Sequence, residues 1–358
     1  MQFLKTNFPV IAMMTLASAV NLNAQKVDLD PWRYTVASRH LPEMVLDKSY
    51  NTYDVKVETT GSFKDNISDD QIVSKTNVEG WKRVNTQGHV TITASFSNFV
   101  VEKIGVSERV EEVKDKEGKV TSRNYYYTPY MVYSYQGSYS AVTYKGDKIR
   151  SLNLGESTTW KGSETSSSKD AQDYINNNRQ TIRDNIIRSS VESRVNSLTR
   201  DFTLNFGYLT TRSNDLVYLL DSKKHPEHEG HQKVIKSLKE ELTTLKPSES
   251  LDRMKAIFAP HIAYLEETIT KYNKDEKSDR KMRYAAYYAL GKISYWLDEP
   301  DKTIKYGELL IANKYDEKDG KELIELAKSL KKDFERTKLT TRYFPIDTEK
   351  FEAPVINK

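Results

Sequence analysis

Half of the six histidines in this chain fall within one short stretch, His225-Pro226-Glu227-His228-Glu229-Gly230-His231. Imidazole and carboxylate donors at such spacing can hold zinc, nickel or copper. His225, His228 and His231 are therefore candidate metal ligands. The zinc-protease pattern needs two histidines four apart on one helical face with a glutamate between them. His228 and His231 are three apart, and Pro226 and Gly230 oppose a regular helix. The same residues also fit a solvated loop leading into a helix.

A second concentration is aromatic: Tyr125, Tyr126, Tyr127, Tyr130, Tyr133, Tyr135, Tyr139 and Tyr144. In an extended strand, period two puts Tyr125, Tyr127, Tyr133 and Tyr135 on one face. Such a face can stack on sugar rings or grip a partner. It can equally be a cross-strand ladder packed under a helix. Nucleophile chemistry has little to work with. The chain has no G-x-S-x-G elbow, no Walker loop and no G-x-G-x-x-G. Ser166-Ser167-Ser168-Lys169 fits S-x-x-K but lies in a serine-rich stretch without the companion motifs. Tyr315 stands where a calcium loop beginning there would need its first ligand. No cofactor and no catalytic residue is assigned.

Composition sets the context. The 55 Lys+Arg and 51 Asp+Glu residues leave a formal charge of +4 on 358 residues, too balanced to drive nucleic-acid binding. A charged content of 30% and a mean hydropathy of −0.71 describe a soluble chain. The lysine and glutamate runs over 232–246 and 314–336 read as solvated helix faces. Residues 1–24 carry one cation, Lys5, an apolar run from Phe8 to Val20 and a small-residue exit at Ala24. That is the form of a cleavable secretory signal. No later apolar run reaches the length of a membrane-spanning helix. There is no cysteine, hence no disulfide and no lipidation cysteine at the cleavage point. The expectation is an exported protein without a lipid anchor or direct membrane insertion. It would sit in the periplasm of a bacterial envelope or reach the outer membrane through partners.

The elements divide by period. Thr52 to Thr59 and His89 to Phe96 alternate as strands, and hairpin turns are predicted at Asp115–Gly118 and Lys145–Asp147. The polar stretch 156–169 reads as a loop or linker. From 170 to about 202, Ile175, Ile182, Ile186, Val191, Val195, Leu198 and Phe202 recur at helical spacing, a stripe suited to lie across the preceding sheet. Leu209 to Leu220 reads as a short strand returning to that sheet. Five helices follow, with Pro260 expected to kink or break the second. The tail 338–358, with Pro345 and Pro354, reads as extended.

Within those helices, Tyr287-Tyr288-Ala289-Leu290-Gly291 resembles the opening of a tetratricopeptide repeat, with an aromatic and then Leu-Gly three residues on. Ser294, Thr303 and Gly307 occupy positions where that repeat has aromatic or alanine residues. The resemblance covers roughly 225–337. It implies helical hairpins that bind protein partners, with Tyr287, Tyr295, Trp296 and Tyr306 as the partner-binding residues. The expected fold is α+β. A signal peptide (1–24) precedes an antiparallel β-rich domain with a long packing helix (25–222). An all-α helical-hairpin domain (223–337) and an extended tail (338–358) follow. The expected function is a non-enzymatic interaction or scaffold protein binding envelope protein partners, in secretion or outer-membrane assembly. The alternatives are a glycan-binding module using the tyrosine face, or a metal-binding protein using the histidine loop.

Overall fold

A computed structural model describes residues 26–355. The apolar run Phe8–Val20 and the expected cleavage point at Ala24 lie outside the described residues. The chain is mixed α+β and forms two units, each assembled from discontinuous segments. Among the described residues the sheet unit comprises 35–214, 242–256 and 328–355. The helical unit comprises 26–34 together with 215–241 and 257–327. The boundary expected at 222 thus falls at 214, and the tail belongs with the sheet unit.

The main sheet contains β2 (Thr52–Thr59), β3 (Lys82–Arg83), β4 (Val90–Lys114), β5 (Val120–Thr143), β6 (Lys148–Asn153) and β7 (Glu156–Lys161). Its order is β3-β2-β4-β5-β6, with β7 also pairing β5. From β4 onward it is antiparallel, and both predicted hairpin turns join its strands. β2 runs parallel to β4 and to β3, which the sequence did not suggest. Parallel neighbours need a long crossover. Residues 60–81 supply it with α1 (Ser62–Asn66) and α2 (Asp69–Lys75). Ser68 starts α2 with a capping box: its hydroxyl accepts from Gln71 N, and Gln71 Oε1 accepts from Ser68 N.

Two expectations for this unit change. The stretch read as a linker holds β7, paired from Tyr130↔Lys161 to Tyr135↔Glu156. Its alternating exposed polar residues are those of an edge strand, while Trp160 packs on the core. The segment at 209–220 forms β8 (Thr210–Leu220), which pairs with β1 (Leu29–Arg39) in a separate two-stranded ribbon and does not rejoin the main sheet.

α3 (Ser168–Phe206) lies across the sheet as its stripe requires. Ser167, inside the S-x-x-K match, is its N-cap: the hydroxyl accepts from Asp170 N at 3.2 Å. Ile182, Ile186, Val191, Val195 and Phe202 share one buried cluster with Ile92, Phe96, Tyr133 and Tyr139. Arg150 grips Asp201 on α3 through two hydrogen bonds of 3.0 and 2.6 Å.

The helices after β8 are α4 (His228–Thr243), α5 (Asp252–Lys271), α6 (Lys277–Trp296), α7 (Pro300–Ala312) and α8 (Glu317–Thr337). α5 continues through Pro260. The missing N–H removes one intrahelical bond, and buried Phe258 and Leu265 flank the site with apolar packing. α6 is buried on nearly all sides, from Met282 to Trp296. Gly291 allows this: a Cβ there would stand 2.7 Å from Leu323 of α8. α7 and α8 meet still more closely. A Cβ on Gly320 would lie 2.5 Å from the Gly307 carbonyl oxygen, and one on Gly307 would lie 2.8 Å from the Gly320 oxygen. Backbone stands in the way, so the helices themselves would have to separate. Gly320→Ala is expected to cost about 2 kcal/mol, read as a lowered urea midpoint; an unchanged midpoint would contradict this crossing.

Candidate functional site

β4 and β5 pair without a break in β5's alternation, but β4 is irregular between Ser97 and Val100 and again between Val101 and Lys103. These bulges sit just beyond Phe96, the last β4 residue with a partner on β2. Asn98 takes a left-handed conformation there (φ 54°), which asparagine tolerates better than most residues. Its Nδ2 donates to Gln136 Oε1 at 2.8 Å, tying the bulge to β5. Bulges bend and twist a strand. Two features flank the irregular stretch: a concavity on the open sheet face and a two-stranded ribbon past the sheet's end.

The concavity has a volume of about 790 Å³. β5 turns Met131, Tyr133, Tyr135 and Tyr139 into the core and Ser134, Gln136 and Ser138 the other way. The register aligns Ser95, Ser138 and Asn153 in one row across three strands. Ser97↔Gln136 and Ser134↔Ser157 add neighbouring pairs. Rows in a sheet are about 4.8 Å apart between strands and about 6.8 Å apart along one face, so the floor presents rows of hydroxyls and amides, interrupted on β4 by the irregular stretch at Asn98 and Val100. Glu156 is the one acidic lining residue. It receives Arg194 Nη2 at 2.9 Å and the Tyr135 hydroxyl at 3.3 Å. Arg194 Nε also donates to the Tyr135 oxygen at 3.2 Å. Burial pushes the Tyr135 hydroxyl above its usual range, so it remains a donor to Glu156.

The ribbon carries the same two strands onward. Residues 107–119 and 121–125 are exposed throughout. Among the described residues, β4 beyond Phe96 and β5 before Tyr127 have only each other as strand partners. Val110 and Tyr125 stand directly opposite each other, 42% and 45% exposed, and Val113 is 43% exposed. Arg109 anchors the ribbon's base. Its Nε and Nη2 reach Glu164 at 3.1 and 3.0 Å, and its guanidinium lies 4.3 Å over the Tyr126 ring. Arg123 pairs with Glu112 across the strands at 3.1 Å.

The residues singled out from sequence are distributed otherwise. Tyr125, Tyr127, Tyr133 and Tyr135 do share a face, but it is the face that α3 covers. Tyr133 and Tyr135 are buried in the core, Tyr127 is half-buried and only Tyr125 is well exposed. The ladder reading holds, and a stacking platform on Tyr133 and Tyr135 is ruled out because their rings are occupied: Phe99 stacks on Tyr133 and Phe63 meets Tyr135 edge-on. Among the helix residues, Trp296 is buried with its indole N–H on Asp215 Oδ2 at 2.8 Å. Tyr306 is buried with its hydroxyl on Glu266 at 3.1 Å. Tyr287 and Tyr295 are half-buried, Tyr295 packing its ring 4.9 Å from that of Trp296. Trp296 and Tyr306 therefore serve packing and not display.

The histidine loop is corrected as well. His231 is fully buried, and its Nδ1 accepts from Leu220 N at 3.3 Å. His225 is buried, with Nδ1 accepting from Glu227 N at 3.2 Å. His228 begins α4, which runs on through Gly230. Glu227 turns instead to Tyr264, Lys271 and Tyr272. Among the described residues no three His, Cys, Asp or Glu side chains are placed to hold a metal ion. The candidate ligands His225, His228 and His231 are thus spent on local structure.

Asn98, Gln136, Ser138 and Asn153 were not anticipated. The alternation of Tyr133, Tyr135 and Tyr139 with Ser134, Gln136 and Ser138 carried the signal for the floor; nothing local marked the bulge. No protein-family model matches the chain, and no curated protein matches it.

Proposed function

We propose that this chain is a non-enzymatic interaction protein of a bacterial envelope, and that its contact with a protein partner is made by the β4–β5 ribbon. The observation that carries this reading is the ribbon itself. It extends past the last residues of its sheet neighbours and exposes Val110, Val113 and Tyr125 together with an unpaired strand edge. An unpaired edge is a template for an incoming strand. The alternating charges Glu108, Arg109, Glu111, Glu112 and Lys114 oppose indiscriminate pairing and favour a partner strand of matching charge order. The occupant is an extended segment of another protein.

Export rests on the signal-like segment at 1–24. Among the described residues no helix is long and apolar enough to cross a membrane, which fits a protein working outside a bilayer. The helical unit, with its resemblance to tetratricopeptide repeats, serves as the scaffold in this reading. A role in secretion or outer-membrane assembly follows by analogy with that family alone.

The test is a photocrosslinking residue at position 110 in the full chain, in its native host. A reproducible protein adduct is expected. An excess of the unlabelled parent chain should compete the adduct away, whereas an excess of a chain whose residues 109–126 are replaced by Asn-Gly, a two-residue turn that closes Glu108 against Tyr127, should not. Absence of an adduct, or equal competition by the excised chain, would defeat the proposal. The excised chain should keep its thermal midpoint within a few degrees, since the removed residues are exposed apart from half-buried Val120 and Tyr126.

A further inference from the structure

We infer that the concavity on the open sheet face binds an uncharged glycan through the hydroxyls and amides of β4, β5, β6 and β7. This does not depend on the ribbon having a partner. The two features use different residues and fail separately.

Three observations carry it. The first is chemical type. The floor is made of serine hydroxyls with the side-chain amides of Asn98, Gln136 and Asn153. Each such group both donates and accepts, as each sugar hydroxyl does. The second is charge. No lysine, arginine, aspartate or histidine lines the cavity, and Glu156 is held by Arg194 and the Tyr135 hydroxyl. A phosphate, sulfate or uronate would find no cation there, and a cationic ligand would have to compete with Arg194 for Glu156. An uncharged ligand meets neither obstacle.

The third is preorganisation. The Asn98–Gln136 hydrogen bond fixes one atom of each amide and points their recognition capacity the opposite way. The Asn98 carbonyl oxygen and the Gln136 amino group take no other side-chain partner among the described residues. They are left as one acceptor and one donor at the irregular stretch of the β4–β5 pair. Groups held before the ligand arrives lose little freedom on binding. At about 790 Å³ the space is of the size that receives small ligands, here a short oligosaccharide or the end of a longer chain. The exposed Val100 among the lining residues offers an apolar contact for the C–H face of a ring.

The experiment is affinity electrophoresis of the full chain through gels containing soluble dextran, yeast mannan, galactomannan or polygalacturonate. Retardation by at least one neutral polysaccharide and none by polygalacturonate is expected. Gln136→Ala and Asn153→Ala should each weaken that retardation about five- to tenfold. Ser138→Arg, which places a long side chain across the floor, should abolish it. These positions lie on the open face, and an unchanged thermal midpoint for each variant would show that the fold is kept. Retention unaffected by all three variants, stronger retention by polygalacturonate, or no retention by any neutral polysaccharide would overturn the assignment. In the last case, binding of an uncharged peptide at the same face would identify the wrong ligand class as the error.

Discussion

Lys292→Met is expected to destabilise the helical unit by about 3–5 kcal/mol, the largest loss of any single substitution considered for this chain. Lys292, on α6, meets Asp215, on β8, at 2.7 Å, with both side chains only 10% exposed. Asp215 also accepts from the Trp296 indole at 2.8 Å and from the Tyr34 hydroxyl at 3.4 Å. The Lys292 ammonium lies 5.3 Å over the Tyr288 ring. Together these contacts offset the loss of water around two charges. Removing the cation leaves a carboxylate in a pocket walled by aromatic rings, with three neutral donors to stabilise it: the Trp296 indole, the Tyr34 hydroxyl and the Leu216 N–H at 2.9 Å. The tyrosine beside it already feels this charge: burial first, then Asp215, raises the Tyr34 hydroxyl well above its usual range. Removing both charges should hurt far less than removing one. Lys292→Met combined with Asp215→Asn is expected to recover most of the loss, because no charge is left buried and the amide oxygen can still accept from Trp296 and Tyr34. Urea denaturation of the two single variants and the double variant makes a double-mutant cycle. Additive losses would mean that the pair is not coupled and that its burial is incidental.

What the sequence disclosed and what it concealed follow one physical division. Periodicity is local, so it was legible. The strand from Thr52 to Thr59, both hairpin turns, the stripe on α3 and all five later helices were marked by residues a few positions apart. Which face of a strand is covered is not local. The tyrosines of β5 drew attention as the chemically richer face, but α3 needed an apolar sheet face and took it, and the serine face was left open. The limits of the sheet were hidden for the same reason. β4 alternates well beyond Phe96, and the ends of β2 at Thr59 and of β7 at Lys161 determine where sheet becomes ribbon. β7 was mistaken for a linker because an edge strand exposes alternate polar residues as a loop does. Ser68 and Gln71 spell a capping box, a local signal for the start of α2. Asp215 and Lys292 meet through the fold alone, and no spacing rule joins them. The metal reading failed where chemistry was inferred from residue types before the packing that consumes them was known.

Acidification should weaken the fold before ordinary carboxylates titrate, with His231 as the main source. Burial lowers its pKa from 6.5 to about 4, with the Glu227 carboxylate opposing and the nearby His225 and His228 adding to the shift. The geometry supplies the reason. Its Nδ1 already accepts the Leu220 N–H, so a proton there would set two donors against each other. Its Nε2 is buried and has no hydrogen-bond partner among the described residues. The native state therefore keeps this ring neutral, while the unfolded chain protonates it near 6.5. The unfolded state then binds more protons as the pH falls, so stability is fully present above about 6.5 and declines toward about 4. A displacement of that size corresponds to about 3 kcal/mol over the interval. Burial lowers the pKa of His225 and His89 as well, so each adds a smaller decline of the same sign. His231→Asn can place a carbonyl oxygen where Nδ1 accepts from Leu220 and carries no titrating group. Its absolute stability will be lower at pH 7.5 because the smaller side chain leaves a void, but its stability should fall less steeply than the parent's from pH 6.5 to 4.5. Urea midpoints measured at half-unit pH steps give both slopes. Parallel slopes for the two proteins would show that the buried ring titrates alike in the folded and unfolded chains.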